Sequence, residues 1–196
     1  KVCVVTGGGS GIGFAAAKEA AKKGYYVMIV GRNEKKLAGA VEKLRKDGCE
    51  AEAYSCDVSD REHCFALARH AAECGAVKAV LHIARMSPHM GDAEKIMQAN
   101  ALGTVNINDA FFEVIAEGGC AIDTSSTSAY MAPSFIMPKR VYPLACTDRK
   151  LFMDKMMKKV KMFPRKTREG VAYSMSIRTG IRVGNEDLKD ISIFII

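Results

Sequence analysis

The segment Thr6-Gly7-Gly8-Gly9-Ser10-Gly11-Ile12-Gly13 concentrates residues that can do chemistry with their backbone rather than their side chains. Glycines let peptide N–H groups approach an anion with no Cβ in the way, and a helix starting here adds the partial positive charge of its N-terminus. The run therefore reads as a cradle for a pyrophosphate, with Thr6, Gly7, Ser10, Gly11, Ile12 and Gly13 as its binding residues. At Gly31-Arg32 a dinucleotide-binding domain that prefers NAD usually carries Asp or Glu to hold the ribose 2′-hydroxyl. Losing that carboxylate removes repulsion, and a guanidinium can fork onto a 2′-phosphate, so Arg32 favours NADP over NAD. A second cluster is His63, Cys64, His70 and Cys74, where His70 and Cys74 stand four apart on one helical face. One such pair does not complete a tetrahedral site, so no metal is expected.

The elements that must position these residues alternate in type. Val2 to Val5 is a short apolar run before the glycines, and Phe14 to Lys23 is an alanine-rich helix stopping at Gly24. Tyr26 to Val30 reads as a second strand. Asn33 then caps a helix with Leu37, Val41 and Leu44 on one face, ending at Gly48. Ala51 to Cys56 is a third strand, and Ser59-Asp60-Arg61-Glu62 is a capping-box pattern opening a helix to about Cys74. Val77 to Ile83 is a fourth strand, Asp92 to Glu117 a long helix, and Cys120 to Thr124 a fifth strand. Such alternation demands right-handed crossovers and a mainly parallel sheet covered on both faces, an α/β doubly wound fold.

Composition sets the outer bounds. A chain of 196 residues, 48% hydrophobic and 26% charged, supports one compact domain over 1–196 and excludes collagen-like or mucin-like sequences. No apolar run approaches the roughly 20 residues of a spanning helix, so no integral membrane segment is expected. The start at Lys1 gives no leader pattern, and seven cysteines without a CxxC pair fit reduced, mostly buried thiols in the cytoplasm. The formal charge of +7 lies entirely in residues 148 to 168, where nine Lys/Arg face Asp148 and Asp154. A patch this local does not make a nucleic-acid-binding surface. Within it Phe152, Met153, Met156, Met157, Val160 and Phe163 fall at helical spacing with lysines opposite. This is a lid-like amphipathic helix whose Met stripe packs in a core or, on a second reading, meets a membrane surface or partner.

With TGxxxGxG between a strand and a helix, the chain resembles the short-chain dehydrogenase/reductase family, whose fold is a Rossmann-type sheet. The resemblance continues at Asp57-Val58, which match the pair flanking the adenine, and at Asn100 in Asn100-Ala101-Leu102-Gly103, which matches the asparagine of the catalytic tetrad. His82-Ile83-Ala84-Arg85 occupies the slot of the family's NNAG motif, giving Ala84 a cofactor-binding role and putting Arg85 in place of glycine. Ile122-Asp123-Thr124-Ser125-Ser126 resembles the strand-five motif and selects Ser126 as the catalytic serine, with Ser125 and Ser128 as neighbouring alternatives. Asp57 opening a turn and Asn100 satisfying backbone are the plain structural readings of those two residues.

Gly170-Val171-Ala172-Tyr173 resembles the start of the family's tyrosine helix and implies Tyr173 as the acid–base group. The family's lysine four residues later is Ile177 here, and none of the six tyrosines has Lys at that offset. A unit charge about 4 Å away at an effective dielectric of 20 is worth roughly 4 kcal/mol, about three pKa units. Its loss removes much of the roughly 10²- to 10⁴-fold of acid–base catalysis. Arg178 is adjacent, but one helical step turns it about 100° off that face. Gly180-Ile181-Arg182-Val183 resembles the family's sixth strand, which would leave no room for the helix after Tyr173 and make the fold truncated there. The 47 residues from Ser126 to Tyr173 exceed the family's usual spacing, and such an insertion, about 130–170, resembles the 3α-hydroxysteroid dehydrogenase type. Two functions follow. One is an oxidoreductase moving hydride between NADP(H) and a small alcohol or ketone, hydroxysteroid-like by analogy, in a homo-oligomer as the family implies. The other is a catalytically impaired NADP-binding or scaffold protein.

Overall fold

A computed structural model of the chain describes residues 1–131, 137–187 and 191–195, and side chains outside 131 and 180–195. It divides into two compact units, Lys1–Ala84 with Asn106–Asp123, and Arg85–Val105 with Thr124–Ile196.

In the first unit, β1 (Val2–Thr6), α1 (Gly11–Lys22), β2 (Tyr26–Gly31), α2 (Glu34–Lys46), β3 (Ala51–Ser55), α3 (Arg61–Glu73) and β4 (Val77–His82) follow one another in the expected alternation. The sheet order is β3-β2-β1-β4-β5, with parallel pairing from Val2↔Tyr26, Val27↔Ala51, Cys3↔Ala79 and Ala79↔Cys120. The chain moves outward from β1 to β3 and returns to β4 on the other side of β1. That reversal makes the carboxyl ends of β1 and β4 a topological switch point, where ligands of open α/β sheets bind. β1 and β2 are buried along almost their whole length, as a sheet covered on both faces requires. Ala17, Ile29, Leu37, Val41 and Leu44 belong to one core between α1, α2 and the sheet.

Caps decide where these helices start. Asn33 Oδ1 accepts from Lys36 N–H at 3.0 Å, as its position foretold. For α3 the cap is Asp60, accepting from His63 N–H at 3.1 Å, rather than Ser59 of the capping-box pattern. Ser59 is drawn off by Asp57, whose Oδ1 accepts its hydroxyl at 2.7 Å and its N–H at 3.0 Å. That local turn outcompetes the box.

The expected long helix over Asp92 to Glu117 is instead α4 (Ala93–Met97), a π-helical turn (Gln98–Leu102) and α5 (Gly103–Phe112). It ends early because the chain turns at Phe111, whose carbonyl accepts Val114 N–H, and enters β5 (Ile115–Ser125) five residues before the strand was expected. β5 pairs Ile115 with Val77 and then Cys120 with Ala79, so the stretch between bulges out, with Gly118 at φ 69°.

The second unit adds α6 (Ser128–Met131), α7 (Leu144–Thr147), α8 (Arg149–Lys161), α9 (Arg168–Asp187) and β6 (Ile191–Ile195). Its core joins Ile96, Met97 and Val105 to Phe152, Met156 and Val160 of α8 and Met175 of α9. The Met-rich stripe of the basic segment is thus core packing, which removes the apolar face that a membrane-surface helix would need. The strand expected at Gly180 to Val183 is overturned. Those residues continue α9 for 20 residues in all, and β6 follows at Ile191. A nucleated helix gains one backbone hydrogen bond with each residue added, and here it runs on through Gly180 despite a glycine's cost of about 1 kcal/mol. No described helix is long and apolar enough to cross a membrane. None of the seven cysteines forms a disulfide; Cys3, Cys56 and Cys64 are buried, whereas Cys74 and Cys146 are exposed. The expectation of mostly buried thiols therefore holds only for those three.

Candidate functional site

The glycine turn sits at the switch point of the first unit. Thr6 is fully buried and its Oγ1 accepts Ile83 N–H at 3.0 Å and Ala84 N–H at 3.1 Å. Its one proton is left for His82 Nδ1 at 2.8 Å, which makes His82 the Nε2-protonated tautomer. Thr6 thus clamps the end of β4 to the end of β1 and shapes the cradle from behind. Gly7, at φ 71°, lies so close to that backbone that a Cβ would meet Ala84 N at 3.0 Å. A Cβ on Gly13 would fall 2.2 Å from Gly7 O, so the first turn of α1 can press on the loop only as glycine.

Ser10 precedes α1 in extended geometry (φ −166°, ψ 170°) and makes no side-chain cap, and the first turn contains no acidic residue. The amides of that turn have no acceptor within the helix, so they face outward with the positive end of the helix dipole. Ile12 beside them is 59% exposed, an apolar side chain left where a ligand could cover it. These features fit a dinucleotide diphosphate.

Arg32, just past β2, lies with its Nη1 3.8 Å from Asp57 Oδ2, both groups substantially exposed. The structure therefore brings together Arg32, expected at the 2′-position, and Asp57, expected beside the adenine. Asp57 also holds its turn through Ser59. Val58 is buried, and its carbonyl accepts Asn106 Nδ2–H at 2.9 Å.

The second unit holds the other expected residues. Ser125, the last residue of β5, is 9% exposed and its hydroxyl has no partner among the described residues; the same holds for Ser128 Oγ. Ser126 is half-buried, and its Oγ accepts Ser128 N–H at 3.3 Å, which leaves its own proton to donate. Tyr173, on α9, is half-buried against the second core. Ile177, one turn on, is only 3% exposed. The position where the family pattern has lysine is thus an apolar core position. Arg178 does not substitute for it: its Nη1 donates to Ala129 O at 2.9 Å and its guanidinium lies 5.3 Å from the Tyr130 ring centroid.

Asn100 lies in the π-helical turn, a local irregularity frequent at functional sites. Its amide is committed: Oδ1 accepts Met86 N–H at 2.7 Å and Nδ2 donates to Met86 O at 2.9 Å. Its main-chain carbonyl accepts Thr104 Oγ1–H at 2.8 Å.

Sequence reasoning missed two arginine anchors. The guanidinium of Arg85 donates to Thr124 O, so it points to the end of β5 two residues before Ser126, as Arg178 does to the turn after it. Nothing in a single sequence distinguishes these from surface arginines.

A parallel sheet with a glycine cradle at its switch point defines a dinucleotide-binding α/β protein. Comparison with known proteins narrows this: the short chain dehydrogenase family model matches residues 1–138, and the chain belongs to that family. A sorbose reductase of Schizosaccharomyces pombe is 32% identical over 146 residues, 67% of this chain and 57% of that protein. A 3beta-hydroxysteroid dehydrogenase of Mediterraneibacter gnavus is 45% identical over 67 residues, 34% of this chain and 24% of that one. The chain spans about half the length of the curated relatives it matches. In fold it is similar to an actinorhodin polyketide ketoreductase solved with NADPH, at TM-score 0.70 and 20% identity over all of this chain and 68% of that one. It is likewise similar to a Shigella flexneri short chain dehydrogenase complexed with NADP, at TM-score 0.71 and 20% identity over all of this chain and 75% of that one. The chain is thus shorter than its structural neighbours, as the sequence implied.

Proposed function

We propose that the protein is an NADP(H)-dependent oxidoreductase acting on a small alcohol or ketone. The observation that carries this is the uncapped, glycine-shaped N-terminus of α1 with Arg32 at the end of the neighbouring strand. Gly7, Ser10, Gly11, Ile12 and Gly13 would hold the diphosphate with Thr6 bracing the loop from behind, Arg32 would hold the 2′-phosphate, and Asp57, Val58 and Ala84 the adenosine side. When bound, NADP(H) supplies or accepts the hydride. The Ser126 hydroxyl donates a hydrogen bond to the substrate oxygen, and the Tyr173 phenol delivers a proton to that oxygen in reduction and takes it back in oxidation. Asn100 holds the water that refills the phenol. The relatives' names span a sugar, a steroid and a lactone, so a hydroxysteroid-like substrate rests on the insertion before Tyr173 and the partial steroid-enzyme match.

Buried Ile177 favours a second reading, in which the chain binds NADP but turns over poorly. One experiment addresses both: NADPH and NADH are titrated by fluorescence and the absorbance of NADPH is followed with a ketone panel. NADPH should bind at least tenfold tighter than NADH, and Arg32→Ala should erase that ratio. Binding without turnover leaves the second reading; an unchanged ratio in Arg32→Ala removes the coenzyme assignment from Arg32.

A further inference from the structure

Away from the glycine turn, the edge of the first unit gathers three side chains of different chemistry. Glu52 stands on β3, the outermost strand of the sheet; His70 lies in the last turn of α3, and Cys74 is its C-cap. His70 Nε2 is 2.9 Å from Glu52 Oε1, Cys74 Sγ is 3.6 Å from the same oxygen, and Sγ and Nε2 are 3.9 Å apart. A tetrahedral zinc ion with ordinary bond lengths separates an O and an N ligand by about 3.3 Å, and a sulfur from either by about 3.6 Å. The three atoms lie within a few tenths of an ångström of those separations. Binding would open the His70–Glu52 contact by about 0.4 Å and draw Cys74 Sγ about 0.3 Å closer to His70 Nε2.

The surroundings are those of ligands already held in place. Glu73 Oε2 lies 3.9 Å from His70 Nδ1, the ring nitrogen turned away from the cluster, beyond hydrogen-bond range but close enough to favour the ring electrostatically. The Tyr54 ring lies 5.2 Å from the His70 ring, and the Tyr26 hydroxyl hydrogen-bonds Glu52. Sequence spacing yields only the His70–Cys74 pair; folding supplies Glu52 from a strand 18 residues earlier than His70. Folding thus adds a third candidate ligand to the pair that sequence spacing yields.

We propose that Glu52, His70 and Cys74 form a zinc-binding site that staples edge strand β3 to α3. The carboxylate, imidazole and thiolate are the donor set of a borderline-soft divalent ion, and a water takes the fourth position. Two negative ligands neutralise the ion, and Cys74 releases its thiol proton to solvent on binding.

The test uses the full chain stripped with a chelator. Cobalt(II), as a spectroscopic stand-in, should give a thiolate charge-transfer band saturating at one equivalent, and zinc should displace it. Cys74→Ser should abolish the band, and Glu52→Gln and His70→Gln should each weaken zinc binding at least tenfold in calorimetry. Cys146→Ser, at the other exposed thiol, should leave both unchanged. Should a variant fold poorly by circular dichroism, the parent protein still decides. One equivalent of zinc should protect Cys74, and not Cys146, from alkylation mapped by mass spectrometry. Absence of a thiolate band, a band surviving Cys74→Ser, or equal labelling of Cys74 with and without zinc would each overturn the proposal.

Discussion

Ile177 decides more about this protein than any residue that is present in the family pattern. It follows Tyr173 by one helical turn and is 3% exposed, packed where a lysine of that pattern would have to keep an ammonium. Ile177→Lys puts a charge at a buried position, a change expected to cost about 3 kcal/mol of stability. The same ammonium, one turn from the phenol, should stabilise the tyrosinate and restore acid–base catalysis, raising ketone reduction about 10²-fold. Urea unfolding and NADPH oxidation measured on one preparation check both halves. A destabilised variant with unchanged turnover would show that the missing lysine does not limit catalysis. Gly13 is the opposite kind of residue. Its identity is imposed by a backbone oxygen 2.2 Å from where a Cβ would sit, and that is why the cradle was readable from sequence alone.

Helix starts show what local chemistry can fix. Asn33, Asp60, Asp92 and Asp148 each accept a hydrogen bond from the N–H three residues on, so four helices begin where a short polar side chain allows. Asp92 matters most for the site, because α4 leads into the π-helical turn that carries Asn100. The backbone N–H of Lys95 holds the Asp92 carboxyl below its usual range. A carboxyl lowered in the folded state stabilises above its unfolded pKa of about 3.9, and that contribution disappears as pH falls through the folded value. Asp92→Ala should therefore cost about 1 kcal/mol at pH 7, Asp92→Asn much less, and the gap between parent and Asp92→Ala should narrow as pH falls below about 4. Urea midpoints at pH 7 and pH 3 measure it. Strands β1 to β4, the Asn33 cap and the glycine turn were legible because each depends on neighbours in sequence. The Ser59 box, the end of α5 and the helical state of Gly180 to Val183 were not, since each was decided by a competitor that periodicity does not show. Those competitors are Asp57 taking Ser59, the turn at Phe111 with the β5 bulge, and the propagation of α9. The arginine anchors at Thr124 and Ala129 and the Glu52–His70–Cys74 cluster were invisible for the same reason, being contacts across elements.

At the scale of the whole molecule, the chain passes between its two units three times, after Ala84, Val105 and Asp123. The second passage falls inside α5, a helix with no break at the boundary. Neither unit can therefore be obtained as one uninterrupted stretch. A fragment 1–123 retains β1 to β4 and most of β5, yet it also retains Ile96, Met97, Ala101 and Val105, all fully buried in the intact protein against α8 and α9. Without those helices an apolar face of four side chains meets water, at about 25 cal/mol for each Å² exposed. The fragment should bind a hydrophobic dye strongly, self-associate and lose a cooperative thermal transition, whereas the full chain should unfold with a sharp transition and little dye binding. Calorimetry with dye fluorescence distinguishes these outcomes, and a monomeric 1–123 fragment that melts cooperatively without binding dye would show that the first unit does not depend on the second.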